Sequence, residues 1–179
     1  MSTSQNDLWV FGYGSLMWNP GFDHVERVEA TLNGYHRALC IYSVHHRGTP
    51  ERPGLVLGLD RGGSCRGIAF RVEAKKRDEV IAYLREREQV TSVYLETLHR
   101  LRLIDGRLVD GIAYTADRKH SQYAQKLPHE KLVELIRHSA GASGKNPDYV
   151  RATAKKLVDM GIHDRTLMRI ISDLDAAGL

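Results

Sequence analysis

The stretch Leu8-Trp9-Val10-Phe11-Gly12-Tyr13-Gly14-Ser15 stands close to the start of the chain. It begins as a short apolar run and ends in glycines, which is typical of a buried strand that stops at a turn. We therefore predict a strand over residues 8–13 and a tight, glycine-rich turn directly after it.

The turn after this strand presents backbone rather than side chains. Because Gly12 and Gly14 have no side chain, the N–H groups of residues 13–16 and the Ser15 hydroxyl can converge on one carboxylate or oxyanion. The same residues also fit a simple strand-terminating turn, in which Ser15 bonds its own backbone. From the residues alone, an anion-binding loop and a structural turn are equally good interpretations.

More strands are indicated further along the chain. Asn33-Gly34 and Asp105-Gly106 are dipeptides that supply positive φ at tight hairpin turns. The second dipeptide predicts a hairpin that pairs residues 93–104 with residues 107–114. Between the two dipeptides, residues 65–72 alternate with a period of two, which indicates a strand with one well-packed face.

Helical patterns follow the strands. One amphipathic helix is predicted over Lys75–Arg87, and three more are predicted after residue 120, with starts at Pro128, Asn146-Pro147 and Asp164. Their predicted buried stripes are Leu132, Leu135 and Ile136; Val150, Leu157 and Val158; and Leu167, Ile170, Ile171 and Leu174. The sequence therefore predicts an α+β fold with a substantial antiparallel β component and a helical C-terminal portion.

Composition limits the classes of protein to consider. The chain has 179 residues, is 42% hydrophobic and carries a formal net charge of +4, so we expect one globular domain over residues 1–179. No apolar stretch reaches the ~20 residues that a bilayer requires, and no secretory signal is evident at the N-terminus. Cys40 and Cys65 form no CxxC unit, which favours two reduced, buried thiols in a cytoplasmic protein.

The spacing of residues disfavours three kinds of functional site. His129-Glu130 begins like HExxH, but the fifth position is Val133, and the adjacent pair His45-His46 points to opposite sides of an extended segment, so we expect no metal. A hydrolase elbow requires GxSxG, and Met17 occupies the second glycine position after Ser15. Met17 also replaces the third glycine of a dinucleotide-binding fingerprint.

Glu88 is a candidate base. It follows the predicted helix Lys75–Arg87, where a helix C-terminus disfavours negative charge by ~0.3–1 kcal/mol. This position and partial burial would both raise its pKa, while Arg85 and Arg87 would lower it. Alternatively, Glu88 is a solvated surface charge with no catalytic role in the run Arg85-Glu86-Arg87-Glu88. The residues alone favour this interpretation.

Several segments together resemble the ChaC-type γ-glutamylcyclotransferases, the glutathione-specific branch of the γ-glutamylcyclotransferase-like superfamily. The resemblance covers the chain from position 9 to the last helix. The segments are Val10-Phe11-Gly12-Tyr13-Gly14-Ser15-Leu16-Met17-Trp18-Asn19-Pro20, Arg87-Glu88-x-Val90-x-x-x-Tyr94, residues 45–50, 54–59 and 65–72, and Ser143-Gly144-Lys145-Asn146 with Tyr149.

The resemblance implies a small, mostly antiparallel β-barrel flanked by helices, and an enzyme that converts glutathione to 5-oxoproline and cysteinylglycine. The substrate's own α-amine attacks its γ-carbonyl, so no metal and no cofactor is implied, and the partner is glutathione or a related γ-glutamyl peptide. Glu88 matches the family's catalytic glutamate, with Glu86 as a fallback. The resemblance assigns binding of the γ-glutamyl group to Tyr13, Gly14, Ser15, Leu16, Met17 and Trp18.

Two other functions stay open at this point. Family members often have Gly where this chain has Val93, which could reshape the wall beside Glu88, so a non-catalytic or regulatory γ-glutamyl-binding protein of the cation-transport-regulator type is the alternative. Nucleic-acid binding through the basic residues of the C-terminal helices is disfavoured. Acidic residues interrupt that group and no aromatic ladder accompanies it. We therefore expect neither a nucleic-acid partner nor a membrane partner.

Overall fold

A computed structural model describes residues 6–179. In chain order its elements are β1 (Leu8–Gly12), α1 (Ser15–Trp18), β2 (Glu26–Ser43), β3 (Gly54–Val72), a single 3-10 turn (Ala74–Lys76), α2 (Arg77–Glu88), β4 (Tyr94–Leu103), β5 (Leu108–Ala116), α3 (His129–Arg137), β6 (Ala140–Gly141), β7 (Gly144–Lys145), α4 (Asn146–Asp159) and α5 (Arg165–Ala176). This sequence of elements confirms the predicted α+β class.

Five strands close into a barrel in the order β1-β3-β2-β4-β5. β1 runs antiparallel to β3, with Leu8 opposite Val72, and parallel to β5 through Val10 and Ile112. The pairs β2–β4 and β4–β5 are also antiparallel, so the small, mostly antiparallel barrel that the resemblance implied is confirmed. A separate two-stranded sheet joins β6 to β7.

The chain divides into two compact units. The first contains the described residues up to Ala38 together with Leu59–Asp117, and the second contains Leu39–Gly58 together with Arg118–Leu179. In the first unit, α2 packs Val80 and Leu84 against the apolar residues of β1 and β5. That contact fixes the position of the helix that carries Glu88.

The predicted hairpin at Asp105-Gly106 is confirmed. β4 and β5 pair from Tyr94–Ala116 to Arg102–Leu108, and Gly106 adopts φ +94 at the turn. The hairpin turn expected at Asn33-Gly34 is wrong, because β2 runs through both residues although Gly34 has φ +89. The residues just before this point, Ala30 to Leu32, pair with β4 instead of folding back locally.

The predicted helices are confirmed, with small changes at their ends. Asp164 caps α5 by accepting a hydrogen bond from the Leu167 N–H at 3.0 Å, as its position predicts. Val158 was expected in the buried stripe of α4 but is 38% exposed, so that residue was assigned to the wrong face. Both cysteines are buried, and no disulfide joins them. No helix in residues 6–179 is long and apolar enough to span a bilayer.

Candidate active site

The glycine-rich turn after β1 is the first turn of a short helix. β1 ends at Gly12 and α1 begins at Ser15, where the Met17 N–H donates to the Gly14 carbonyl at 2.9 Å. A Cβ atom at Gly12 would lie 3.1 Å from the Leu16 Cβ, so the chain turns back tightly on itself. Because a helix has no internal acceptors for the N–H groups of its first turn, α1 begins with backbone donors directed out of the helix.

The predicted binding residues differ in what they can offer a ligand. The side chains of Leu16 and Met17 are buried, and the Met17 N–H is already used inside the turn. Tyr13 is also buried, and its carbonyl accepts a hydrogen bond from Arg37 Nε at 2.7 Å. Ser15 is exposed, while Gly14 and Trp18 are half-buried. The turn can therefore contact a ligand through backbone groups and the Ser15 hydroxyl.

Glu88 is the last residue of α2, and its carboxylate is largely withdrawn from solvent. Its side chain is 16% exposed, and its contact with a cation is Arg87 Nε, 3.4 Å from Oε1. Burial raises the pKa of Glu88, and the positive charge of Arg87 opposes that rise. Glu86, the fallback base, is exposed and has no comparable enclosure.

Arg87 brings the predicted loop and the predicted base together. Its Nη2 donates to Ser15 Oγ at 3.1 Å, and its Nη1 donates to the carbonyls of Asn19 at 2.7 Å and Pro20 at 3.0 Å. The same guanidinium contacts Glu88 through Nε. One planar group thus contacts both the exposed hydroxyl of the turn and the buried carboxylate.

A second arginine of α2 ties the helix end to the barrel. Arg85 donates to both oxygens of Glu96 on β4, at 3.0 and 2.9 Å, and Tyr114 on β5 donates its hydroxyl to Glu96 at 2.8 Å. The Arg85 hydrogen bonds lower the pKa of Glu96. Burial, followed by the neighbouring Glu96 and then the charge of Glu88, raises the pKa of Tyr114.

The sequence did not predict that Arg37 and Arg87 contact the turn, or that Tyr114 belongs to the site. Arg87 was considered only as a charge that lowers the pKa of Glu88, although it stands beside Glu88 in the motif itself. Its partner Ser15 is 72 residues away, and no local pattern reports a contact of that range. Val93, the departure from the family pattern, is buried, and its carbonyl accepts the Asp117 N–H at 2.8 Å.

Of the remaining motif segments, residues 65–72 lie in the first unit, whereas residues 45–50, 54–58 and 143–149 lie in the second. Asn146 is fully buried and bonds Leu55 on both sides, accepting from its N–H at 2.8 Å and donating to its carbonyl at 2.9 Å. The Tyr149 hydroxyl accepts the Leu57 N–H at 3.0 Å, and His46 shares a hydrogen bond with Ser143 at 2.9 Å. These side chains hold the backbone of their own unit.

The helix tested for a metal motif lines an open cleft of about 360 Å³ in the second unit. There His129 pairs with Asp173 at 2.6 Å, and Glu134 pairs with Lys131 at 3.2 Å. Within residues 6–179, no group of three or more His, Cys, Asp or Glu side chains is arranged to hold a metal ion.

Comparison with known proteins agrees with this geometry. The family profile described as "ChaC-like protein" matches residues 8–176. The chain is 36% identical over 160 residues to the "Glutathione-specific gamma-glutamylcyclotransferase" of Escherichia coli K12, covering 89% of this chain and 69% of that protein. It is 30% identical over 178 residues to "Gamma-glutamylcyclotransferase 2-1" of Arabidopsis thaliana, covering 93% and 82%.

A solved structure agrees in fold. The crystal structure of the yeast γ-glutamylcyclotransferase specific to glutathione superposes with a TM-score of 0.84 at 20% identity, covering 96% of this chain and 97% of that one. The family match spans both compact units and includes the turn after β1 as well as Glu88. The chain belongs to the ChaC-like protein family.

Proposed function

We propose that this protein cyclises the γ-glutamyl group of glutathione and releases 5-oxoproline and cysteinylglycine, with Glu88 as the general base. The observation that carries the proposal is the single guanidinium of Arg87, which contacts both Glu88 and Ser15. It links a largely enclosed carboxylate to a turn that has backbone donors and an exposed hydroxyl. The names of the relatives in Escherichia coli and yeast support glutathione as the substrate.

The reaction is intramolecular. The α-amino nitrogen of the substrate attacks its own γ-carbonyl carbon, the new C–N bond closes a five-membered ring, and the C–N bond to cysteinylglycine breaks. The attacking nitrogen loses two protons as it changes from an ammonium group to the N–H of the lactam. One proton passes through the base to the departing nitrogen, and the released amine takes up the second to become an ammonium group, so atoms and charge balance without water. The protein needs to fold the γ-glutamyl arm, move these protons and stabilise the oxyanion.

Glu88 is suited to move the proton. It must be ionised to accept a proton from the ammonium, and burial raises its pKa toward the range in which a carboxylate is a stronger base. After ring closure, the protonated carboxyl can donate to the leaving amine. The competing carboxylate, Glu86, is exposed to solvent.

The turn after β1 is suited to bind the charged ends of the γ-glutamyl group. The N–H groups that open α1 and the Ser15 hydroxyl are donors for a carboxylate or for the oxyanion that develops on the γ-carbonyl oxygen. Arg37 fixes the start of this turn through the Tyr13 carbonyl. A fixed turn reduces the reorganisation needed when charge develops.

We place the reaction in the cytoplasm, with a free small molecule as the partner. The two cysteines are buried and are not joined by a disulfide, which fits a reducing compartment. Nucleic-acid binding gains no support, since Arg151, one of the basic residues considered for it, pairs with Asp175 at 2.6 Å.

The test is incubation of the purified protein with glutathione, followed by measurement of 5-oxoproline and cysteinylglycine by mass spectrometry. We expect equal amounts of both products, loss of turnover in Glu88→Gln, and retained turnover in the matched variant Glu86→Gln. Product from another γ-glutamyl amine but not from glutathione would keep the reaction and change the substrate. A protein that binds glutathione without any turnover would establish the regulatory alternative instead.

A further inference from the structure

Arg87 is the most heavily bonded side chain near the candidate site. Besides Ser15 and Glu88, it donates to two successive carbonyls at the end of the turn, Asn19 and Pro20, and to the Tyr83 hydroxyl at 3.1 Å. Its side chain is only 21% exposed. The guanidinium thus makes five contacts with α2 and the segment after β1, whereas a surface arginine is solvated mainly by water.

We propose that Arg87 is a positioning residue, which orients the Ser15 hydroxyl toward the substrate and holds the Glu88 carboxylate beside that hydroxyl. This inference rests on the proposed function and adds a residue to it. Arg87 acts through Ser15 and Glu88 and has no role as an acid or base.

The orientation of Ser15 follows from the chemistry of the two groups. A guanidinium has only donors, so Ser15 Oγ must accept the hydrogen bond from Nη2. A hydroxyl has one hydrogen, and this hydrogen is then left to donate elsewhere. With Ser15 exposed at the start of α1, that hydrogen is available to a carboxylate or oxyanion of the substrate.

The positive charge of Arg87 also acts on Glu88. It keeps the buried carboxylate more readily ionised than burial alone would, so it widens the pH range in which the base is active. Tyr114 on β5 is a further titratable group that interacts electrostatically with Glu88, whose charge contributes to raising the Tyr114 pKa. Tyr114 is engaged with Glu96 of β4, which Arg85 neutralises.

Arg37 provides a comparison for separating orientation from charge. It also holds the turn after β1, through the Tyr13 carbonyl at 2.7 Å, and its second contact is the Arg66 carbonyl at 2.8 Å. No contact joins Arg37 to Glu88 within residues 6–179. Arg37 therefore shares with Arg87 the task of holding the turn and does not share its effect on the base.

The experiment compares Arg87→Met with Arg37→Met and with Arg77→Met, a matched control. Arg77 begins the same helix, is exposed and donates to the Asn6 carbonyl at 3.4 Å. For Arg87→Met we expect kcat/KM with glutathione to fall on the order of 10²-fold, the scale of losing one oriented oxyanion donor. The acid limb of its pH profile moves to higher pH, because the buried carboxylate has lost its cation.

The other variants sharpen the result. Arg37→Met lowers kcat/KM without moving the acid limb, and Arg77→Met changes neither. Arg87→Lys keeps the charge and loses the forked geometry, so we expect its acid limb to stay in place while its kcat/KM remains low. Hydrogen exchange of the backbone amides of residues 13–18 is expected to be faster in Arg87→Met, Arg87→Lys and Arg37→Met than in Arg77→Met.

Two results would overturn the inference. Exchange of the turn amides in Arg87→Met that equals that of Arg77→Met would show that Arg87 does not hold the turn, and this readout needs no turnover. An acid limb that stays in place in Arg87→Met would remove its effect on Glu88. Absence of turnover in the unmodified protein would instead contradict the proposed function, and the exchange result would still decide whether Arg87 fixes the turn.

Discussion

The motif segments in the two units use their polar groups in opposite ways. In the second unit, Asn146 is completely buried, and both its carbonyl oxygen and its amide nitrogen bond the backbone of Leu55. In the first unit, Ser15 is exposed and accepts one hydrogen bond, from Arg87, which leaves its own hydrogen available. Both residues belong to motifs that resemble the same family, yet only Ser15 keeps capacity for a ligand.

This difference separates structural from functional motif residues. A polar group whose bonding capacity is used by its own backbone stabilises the fold, because leaving the partners unpaired in the interior would cost ~1–3 kcal/mol for each group. Ser15 still has a hydroxyl hydrogen to donate, and Arg87 links it to the largely enclosed carboxylate of Glu88. A polar group of this kind is available to bind a substrate or take part in catalysis. Variants in the two segments should therefore separate stability from activity.

The largest effect is expected for Glu88→Gln. Loss of a general base lowers kcat by ~10²–10⁴-fold, and the neutral amide keeps the shape of the carboxyl. Mass-spectrometric counting of 5-oxoproline measures the loss, and circular dichroism checks the fold. Retained turnover in Glu88→Gln, together with loss in Glu86→Gln, would transfer the role to Glu86.

Asn146→Ala should be next in size and should act on stability. It leaves the Leu55 N–H and carbonyl unpaired in the interior, for an expected loss of about 2–4 kcal/mol in the free energy of unfolding. Urea unfolding measures this loss, and kcat/KM per folded molecule should stay unchanged at low temperature. A specific loss of turnover in a fully folded Asn146→Ala protein would mean that the second unit contributes to the chemistry.

Ser15→Ala should show the reverse pattern with a smaller magnitude. Removing one donor to the substrate should lower kcat/KM by roughly 10–10²-fold, while the melting temperature changes little because Ser15 is exposed. Steady-state kinetics and thermal melts on one preparation test both parts. A large fall in melting temperature with normal kinetics would classify Ser15 with Asn146 as structural.

The smallest effect concerns two carboxylates of the first unit. Arg107 and Arg71 lower the pKa of Glu26, so its contribution to stability is present above its unfolded-state pKa and is lost as pH falls through the lower folded-state pKa. Burial raises the pKa of Glu88. The folded protein therefore loses stability as pH rises from the unfolded-state pKa of this group to its higher folded-state pKa, because the unfolded chain ionises first.

The two carboxylates thus predict opposite outcomes in thermal melts. Glu88→Gln should be as stable as the unmodified protein at low pH and more stable at neutral pH, whereas Glu26→Gln should be less stable at neutral pH, with a difference that shrinks in acid. Melting curves from pH 4 to pH 8 measure both slopes. If the melting temperatures of the two variants, relative to the unmodified protein, changed with pH in the same direction, the proposed difference between Glu88 and Glu26 would be wrong.

Local signals in the sequence predicted most of the fold. The Asp105-Gly106 hairpin and the cap at Asp164 depend on residues close together in the chain, and both occur as predicted. Asn33-Gly34 carries the same signal as Asp105-Gly106, and Gly34 does adopt positive φ, but β2 continues through it. Pairing of β2 with the distant β4 outweighs the local turn preference there.

The candidate site was predicted in part. The residues alone did not decide whether Glu88 is a general base or a solvated surface charge, and the family resemblance favoured the base. The enclosed position of its carboxylate at the end of α2 supports that interpretation. The role of Arg87 could not be predicted, since its partners Ser15, Asn19 and Pro20 precede it by 67 to 72 residues. Contacts of that range depend on barrel closure rather than on any local pattern.

A crystal structure of Glu88→Gln with intact glutathione tests the central claim most directly. The account predicts the substrate's α-amino nitrogen about 2.6–3.2 Å from the side-chain oxygen of residue 88, the reach required of a general base. It also predicts substrate oxygens on the Ser15 hydroxyl and the first N–H groups of α1. Glutathione bound in the cleft beside α3, or in the turn with its amino group directed away from residue 88, would contradict the account.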